Sequence, residues 1–182
     1  SSNVYIGKDA GACATTGSFN IGIGIDALGD AVNTGSNNIA LGYATGEKVT
    51  SGANNILIGK QAGDAVTTGS NHVAIGFAAL STEDTLSGSV AIGYEALKLQ
   101  NGASGNTVIG CGAGKAVVTG GENVFLGWSA GAGITGSTNT IIGALAMSSA
   151  SSGSSNVAIG QDAGRNNTGD NNVIIGATAG DA

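Results

Sequence analysis

The stretch Asn54-Asn55-Ile56-Leu57-Ile58-Gly59-Lys60-Gln61-Ala62-Gly63 decides the fold, because near copies of it recur along the whole chain. Each copy is aligned on the glycine that follows Ile or Leu, here called the anchor glycine, and the steps between copies are 16 to 18 residues. The eleven anchor glycines are Gly7, Gly24, Gly42, Gly59, Gly76, Gly93, Gly110, Gly127, Gly143, Gly160 and Gly176. A unit this short must bury its apolar face against neighbouring units, as solenoid coils do. We therefore predict a single repeat array over residues 1–182.

The residues before each anchor glycine predict a short β-strand. The residue just before the anchor is Ile in nine copies and Leu in two, and the residue three before it is Val or Ile except at Thr107 and Thr140. Such β-branched density is typical of strands. The residue three after the anchor is Ala in ten copies, which predicts a second short strand, and a Ser/Thr-Gly pair in each linking segment predicts a corner. The fold class is therefore all-β, a parallel β-roll or β-solenoid of eleven coils of about 17 residues.

The middle residue of each predicted strand is also apolar, so both faces of the strand lack polar side chains. Side chains alternate across a strand, so one face enters the coil and the other meets solvent or another chain. A continuous apolar row on the outside would be an association surface. We predict that the middle row is this surface and that the chain forms an oligomer. The alternative is that the row belongs to a thicker core within one chain.

Asparagine stands four residues before the anchor in nine of the eleven copies, and His72 and Ser89 fill the other two slots. Stacked amides can hydrogen-bond along the axis, and Asn tolerates the left-handed backbone of a corner. We predict a structural ladder and interpret His72 as a substitute within it. The principal predicted members are Asn38, Asn55, Asn106, Asn123, Asn139, Asn156 and Asn172.

Composition limits the possible partners. The chain has 34 glycines, no proline, a net charge of -6 and only six Lys and Arg residues, none of them clustered, so nucleic acid is not an expected partner. No run of 18 apolar residues predicts a membrane span. Cys13 and Cys111 lie about six coils apart, roughly 30 Å, which is too far for an internal disulfide. Both ends fall inside the repeat pattern, so we expect the sequence to be an excerpt of a longer fibre or surface protein.

Two segments, SVAIGYEAL at 89–97 and SNVAIGQDAG at 155–164, resemble the head repeats of YadA-type trimeric autotransporter adhesins. The fuller unit NNILIGKQAGDAVTTGSNHVAIG at 54–76 is similar to repeats of bacteriophage tail fibres and large bacterial surface proteins. The resemblance implies a left-handed roll, a homotrimer of side-by-side chains, and an extracellular location on a bacterial surface or phage virion. The longer period and the two cysteines depart from the adhesin pattern, and cysteines favour a virion protein. The resulting trimer-contact candidates are Leu57, Val108, Phe125, Ile141 and Ile174.

One column outside the strand carries four of the seven aromatic residues, all directly after an anchor glycine: Tyr43, Phe77, Tyr94 and Trp128. Aromatic rings stack on sugars and apolar ligands, so these are the candidate receptor-binding or glycan-binding residues. The alternative is that they shield glycine-rich backbone or join the trimer contact. Acidic residues in the next column are discontinuous and no GGxGxD repeat occurs, so calcium has weak support.

No catalytic, cofactor or metal site is predicted, because one histidine and scattered carboxylates do not form a reactive constellation. The GxGxxG match at 131–136 is explained by the repeat itself. We predict a non-enzymatic fibre or adhesin segment that acts as a rigid surface projection and binds a host receptor or glycan. Alternatives are a phage-fibre spacer that binds nothing, and an ice-binding solenoid suggested by threonine pairs such as Thr67-Thr68.

Overall fold

The structure is a computed structural model that describes residues 2–83, 85–150 and 152–181. Its regular elements are eleven strands of three residues, each ending just before an anchor glycine. They are β1 Val4–Ile6, β2 Ile21–Ile23, β3 Ile39–Leu41, β4 Ile56–Ile58, β5 Val73–Ile75, β6 Val90–Ile92, β7 Thr107–Ile109, β8 Val124–Leu126, β9 Thr140–Ile142, β10 Val157–Ile159 and β11 Val173–Ile175.

The strands form one parallel sheet in which each strand pairs with the next along the chain, from β1 to β11. The register keeps equivalent positions together, so Leu57 lies opposite Ala40 on one side and Ala74 on the other. The chain is therefore a parallel β-solenoid of about ten turns, with every repeat position forming a column along the axis. The all-β solenoid prediction is confirmed.

The prediction of a second short strand after the anchor is wrong. In every coil the residue two past the anchor has a positive φ, between 49° and 66°, so this arm is a series of turns. Gln61 shows how the turns still link coils, because its N–H donates to the Tyr43 carbonyl at 2.9 Å while the Ala62 N–H bonds within the coil to the Gly59 carbonyl. Left-handed residues interrupt the extended backbone that a strand requires.

The middle residue of each strand points into the coil, so the prediction that this row contacts other chains is wrong. Leu57, Val108, Phe125 and Ile141 are at most 1% exposed, and Ile174 in the last coil packs partly buried against the same core. Because side chains alternate, a single inward residue per three-residue strand leaves two outward ones. The thicker-core alternative describes the middle row correctly.

In several coils core volume is balanced between the middle residue and the residue four past the anchor. Where the middle residue is large, as at Leu57 or Phe125, the partner is Gly63 or Gly131, and a Cβ on either glycine would lie 2.7 Å from that side chain. Where the middle residue is Ala91, the partner is the fully buried Leu97. In these coils a large residue on one side faces a small one on the other, whereas Ile141 and Met147 are both large and the next coil compensates with Ala158 and Gly164, as close packing requires.

The corner glycines are set by close approach between coils. A Cβ on Gly52 would lie 2.3 Å from the Gly69 carbonyl oxygen of the next coil. In two coils the sequence places its corner glycine two residues later, at Gly88 and Gly105. Those glycines have positive φ, as does the equivalent Asn71 in the preceding coil. Gly88 and Gly105 therefore occupy a left-handed position two residues after the corner. In these two coils the corner position itself holds a residue other than glycine.

Candidate surface sites and the buried polar ladder

The outward face of the sheet is an apolar strip that only Thr107 and Thr140 interrupt, among the first residues of the strands. We define the aliphatic strip as the first and third residues of every strand, β1 to β11. Its third-residue column is entirely Ile or Leu, and Ile109 and Leu126, for example, are 38% and 46% exposed. An exposed apolar row is therefore present on the outside of the coil, but it consists of the residues that flank the middle row.

The buried asparagines form a hydrogen-bonded ladder along one corner. Asn123 illustrates it: its N–H donates to Asn106 Oδ1 at 2.9 Å, its Nδ2 donates to the Gly136 carbonyl at 3.0 Å, and its Oδ1 accepts the N–H of Asn139. Side-chain amide bonds between ladder asparagines lie in the last coils, as between Asn139 Nδ2 and Asn123 Oδ1. The left-handed residue is the one before the ladder position, such as Asn54 before Asn55, so tolerance of positive φ is not the reason for asparagine.

His72 occupies a ladder slot with its imidazole in the amide's roles. Its Nδ1 lies 3.3 Å from the Ser89 N–H and its Nε2 lies 2.6 Å from the Leu86 carbonyl oxygen. With the proton on Nε2, the ring accepts and donates at the same two places as Asn55 does in the coil before. Burial lowers the pKa of His72 below its ordinary value, with the Leu86 bond and the Glu83 charge opposing it.

Ser89 is too short to complete the ladder, and Gln100 does so from across the coil. Gln100 Nε2 donates to the Ala103 carbonyl at 3.0 Å, the bond that a ladder asparagine would make, and Gln100 Oε1 accepts from Asn106 Nδ2 at 2.8 Å. The same Nε2 contacts Ser89 Oγ and Glu83 Oε2. All of these residues are fully buried, so they form an internal polar cluster without access to solvent.

The aromatic column begins with four consecutive coils in contact. The Phe77 and Tyr94 rings are stacked, with centroids 5.2 Å apart and planes 16° from parallel. Lys60 lies between Tyr43 and Phe77, its Nζ 5.5 Å and 6.0 Å from the two ring centroids. The structure therefore brings Tyr43, Phe77 and Tyr94 together. Phe77 has a partner on both sides, Lys60 and Tyr94, which favours the shielding alternative for this ring.

Trp128 belongs to the same column but has small neighbours. Its column neighbours are Cys111 in the coil before and Ala144 in the coil after, and Trp128 is 56% exposed. Tyr94 is the next ring along the column, two coils away. The Cys111 position is thus a short side chain between two exposed aromatic residues.

Charged groups beside this column form one cluster. Glu95 accepts from Lys98 at 2.6 Å and from Lys115 at 2.5 Å. The two ammonium bonds hold the pKa of Glu95 below its usual value, Lys115 contributing most. Across residues 2–83, 85–150 and 152–181, no group of three or more His, Cys, Asp and Glu side chains is placed to hold a metal ion.

A pair of carboxyl groups, Glu47 and Asp30, lies among the first three coils. The pKa of Glu47 is raised to about 7 by partial burial and by its neighbour Asp30, with a smaller effect from Asp26. This raises the fraction of protonated carboxyl near neutral pH. The pair makes the stability of these coils dependent on pH.

Sequence reasoning missed a hydroxyl ladder at the other corner. The Ser18 N–H donates to Ser36 Oγ at 3.0 Å, and the Ser137 N–H donates to Ser154 Oγ at 3.2 Å. The signal was the residue directly after the corner position, which is Ser in seven of ten linking segments. Threonine hydroxyls also bond between coils, as from Thr50 to the Thr67 carbonyl. They therefore do not form a row of unbonded hydroxyl groups.

No helix in the described parts of the chain is long and apolar enough to cross a membrane. No protein-family model, curated protein or solved structure matches the chain.

Proposed function

We propose that this chain is a non-enzymatic fibre segment that assembles as a homotrimer and acts as a rigid extracellular projection on a bacterial surface or virion. The observation that supports it best is the aliphatic strip. Ten steps between parallel strands extend the strip over roughly 48 Å at about 4.8 Å a step. A continuous exposed apolar surface of this length favours association, since water is released when it is covered.

Identical strips on parallel chains can meet around a common axis, which keeps every coil in the same environment and closes the assembly. The repeat resemblance supports three chains and a left-handed roll. The ice-binding alternative has less support, because its threonine hydroxyls bond to carbonyls of the next coil, as Thr15 does to Asn33 and Thr34 to Thr50.

The test is the native mass in solution, by light scattering after size-exclusion chromatography. The proposal expects three times the chain mass of 17.3 kDa. The double variant Ile109→Asp with Leu126→Asp should dissociate the trimer, because it places buried charges at the contact. Val118→Asp is the matched control, since Val118 is 41% exposed and lies outside the strip. A wild-type monomer, or a trimer unaffected by the double variant, would reject the proposal.

A further inference from the structure

In the aromatic column, Cys111 stands between Tyr94 and Trp128, and its short side chain leaves room for one ring at that level. We call this space the gap. Neighbouring column residues are one strand spacing apart, roughly 4.8 Å, which agrees with the 5.2 Å between the Phe77 and Tyr94 rings. Tyr94 and Trp128 are two coils apart and therefore separated by roughly 10 Å. A flat group inserted at Cys111 would lie about 5 Å from each ring, within the range at which aromatic rings stack.

The chain itself contains an occupied example of the same arrangement. Tyr43 and Phe77 are also two coils apart, and Lys60 fills the level between them with its Nζ within 6.0 Å of both rings. At the Cys111 level the side chain is too short to do this. Tyr94 and Trp128, which are 53% and 56% exposed, keep that level accessible.

The charge beside the gap selects the kind of ligand. The Lys115 ammonium bonds at 2.5 Å to the carboxylate of Glu95, which directly follows Tyr94 in the chain, so a positive charge is held beside the Tyr94 side of the gap. An ammonium has three donors, so one bond to Glu95 leaves others for a ligand. The column contains Lys8 and Lys60 but no carboxylate, which favours an anion over a cation.

We propose that the level of Cys111, between Tyr94 and Trp128, binds a sugar ring of an acidic polysaccharide, with Lys115 bonding its carboxylate. The apolar face of a pyranose stacks on aromatic rings, and a linear chain of such sugars can run along the column. This binding site gives the proposed surface projection a class of ligand, and its role on a cell or virion surface depends on the proposed function.

The experiment is a fluorescence titration, because Trp128 is the only tryptophan in the sequence and reports directly on the gap. The probes are an oligomer of β-1,4-linked mannuronate and a neutral β-1,4-mannan oligomer of equal length. We expect the fluorescence of Trp128 to change saturably as the uronate oligomer is added. Tyr94→Ala should weaken binding at least tenfold, and Lys115→Met should weaken uronate binding at least fivefold without changing the response to mannan.

The most direct variant is Cys111→Phe, which fills the gap with the chain's own ring and should abolish the response. Ala144→Phe is its matched control, since it adds the same ring on the other side of Trp128 and should bind within twofold of wild type. No saturable change with uronate at millimolar concentration, or wild-type binding by Cys111→Phe, would overturn the inference. Equal binding of mannan and no effect of Lys115→Met would overturn the acidic class. A trimer that does not bind uronate rejects only this inference, whereas a monomer that binds it rejects only the fibre assembly.

Discussion

The Nε2 atom of His72 lies 2.6 Å from the carbonyl oxygen of Leu86, so a titratable ring stands in a buried slot that asparagine fills in nine other coils. The neutral ring satisfies the Ser89 N–H and the Leu86 carbonyl together. A protonated ring has no acceptor, so protonation breaks the bond from Ser89 and adds a buried charge.

Acid should therefore weaken these coils. The folded-state pKa of His72 is lowered, and the unfolded value is about 6.5. The stability contributed by neutral His72 is fully present above pH 6.5 and is lost as pH falls below 6.5 towards the folded value. His72→Asn should remove this loss while keeping both ladder bonds. Urea unfolding of the two proteins at pH 8 and pH 5.5 measures the effect, and an equal loss in both would contradict it.

The ladder amides themselves should contribute strongly to stability. Asn123→Ala leaves the buried Asn139 N–H and Gly136 carbonyl without their partners, and each unsatisfied group costs about 1–3 kcal/mol. We expect the free energy of unfolding to fall by about 2–5 kcal/mol. Asn166→Ala is the control, because Asn166 is exposed and its Nδ2 donates to Asp181 Oδ1 at the surface. A similar small effect of both substitutions would show that the ladder is not a major source of stability.

Glu47 should give the opposite dependence on pH. Its folded-state pKa is about 7, above the unfolded value of about 4.3, so its contribution is present below pH 4 and is lost as pH rises through 7. Glu47→Gln resembles the protonated acid at every pH. We expect the variant to be more stable than wild type at pH 8, with the difference shrinking at pH 5. Thermal unfolding at both values tests this, and a constant difference would count against the Asp30 pairing.

The period of the sequence predicted the strands and their columns, because stacking repeats of almost equal length leaves little freedom in register. It did not predict which face of the strand is inside. In a three-residue strand with apolar residues at all positions, alternation allows either choice, and the inward role of Leu57 or Phe125 depends on the size of the opposite residue. That information was in the sequence as the pairing of large middle residues with Gly63 and Gly131.

The aromatic column, with Trp128 between the small residues Cys111 and Ala144, could be located from sequence, but the ring contacts within it could not. Stacking of Phe77 on Tyr94 depends on side-chain conformations that repeat spacing does not fix. The polar cluster at Glu83 and Gln100 had a detectable signal, since both replace apolar core residues in the coils where the ladder lacks asparagine. Recognising it requires knowing that the column shared by Glu83 and Gln100 faces the ladder slots across the coil.

The exchange of volume across the core gives a prediction about paired substitutions. Phe125→Ala should cost about 3–5 kcal/mol, because it leaves a cavity among fully buried neighbours. Adding Gly131→Leu should recover part of this loss, since the pair would then match Ala91 and Leu97 in the same chain. Leu97 adopts a φ of 49°, close to the 59° of Gly131, so a leucine is compatible with that backbone.

Gly131→Leu alone should be strongly destabilising, because a Cβ there would lie 2.7 Å from the Phe125 ring. A thermodynamic cycle of the two single variants and the double variant, measured by urea unfolding, gives the coupling directly. We expect the double variant to be more stable than either single variant. If it is no more stable than Phe125→Ala, the two positions do not exchange volume, and the alternation of large and small residues along the core has another cause.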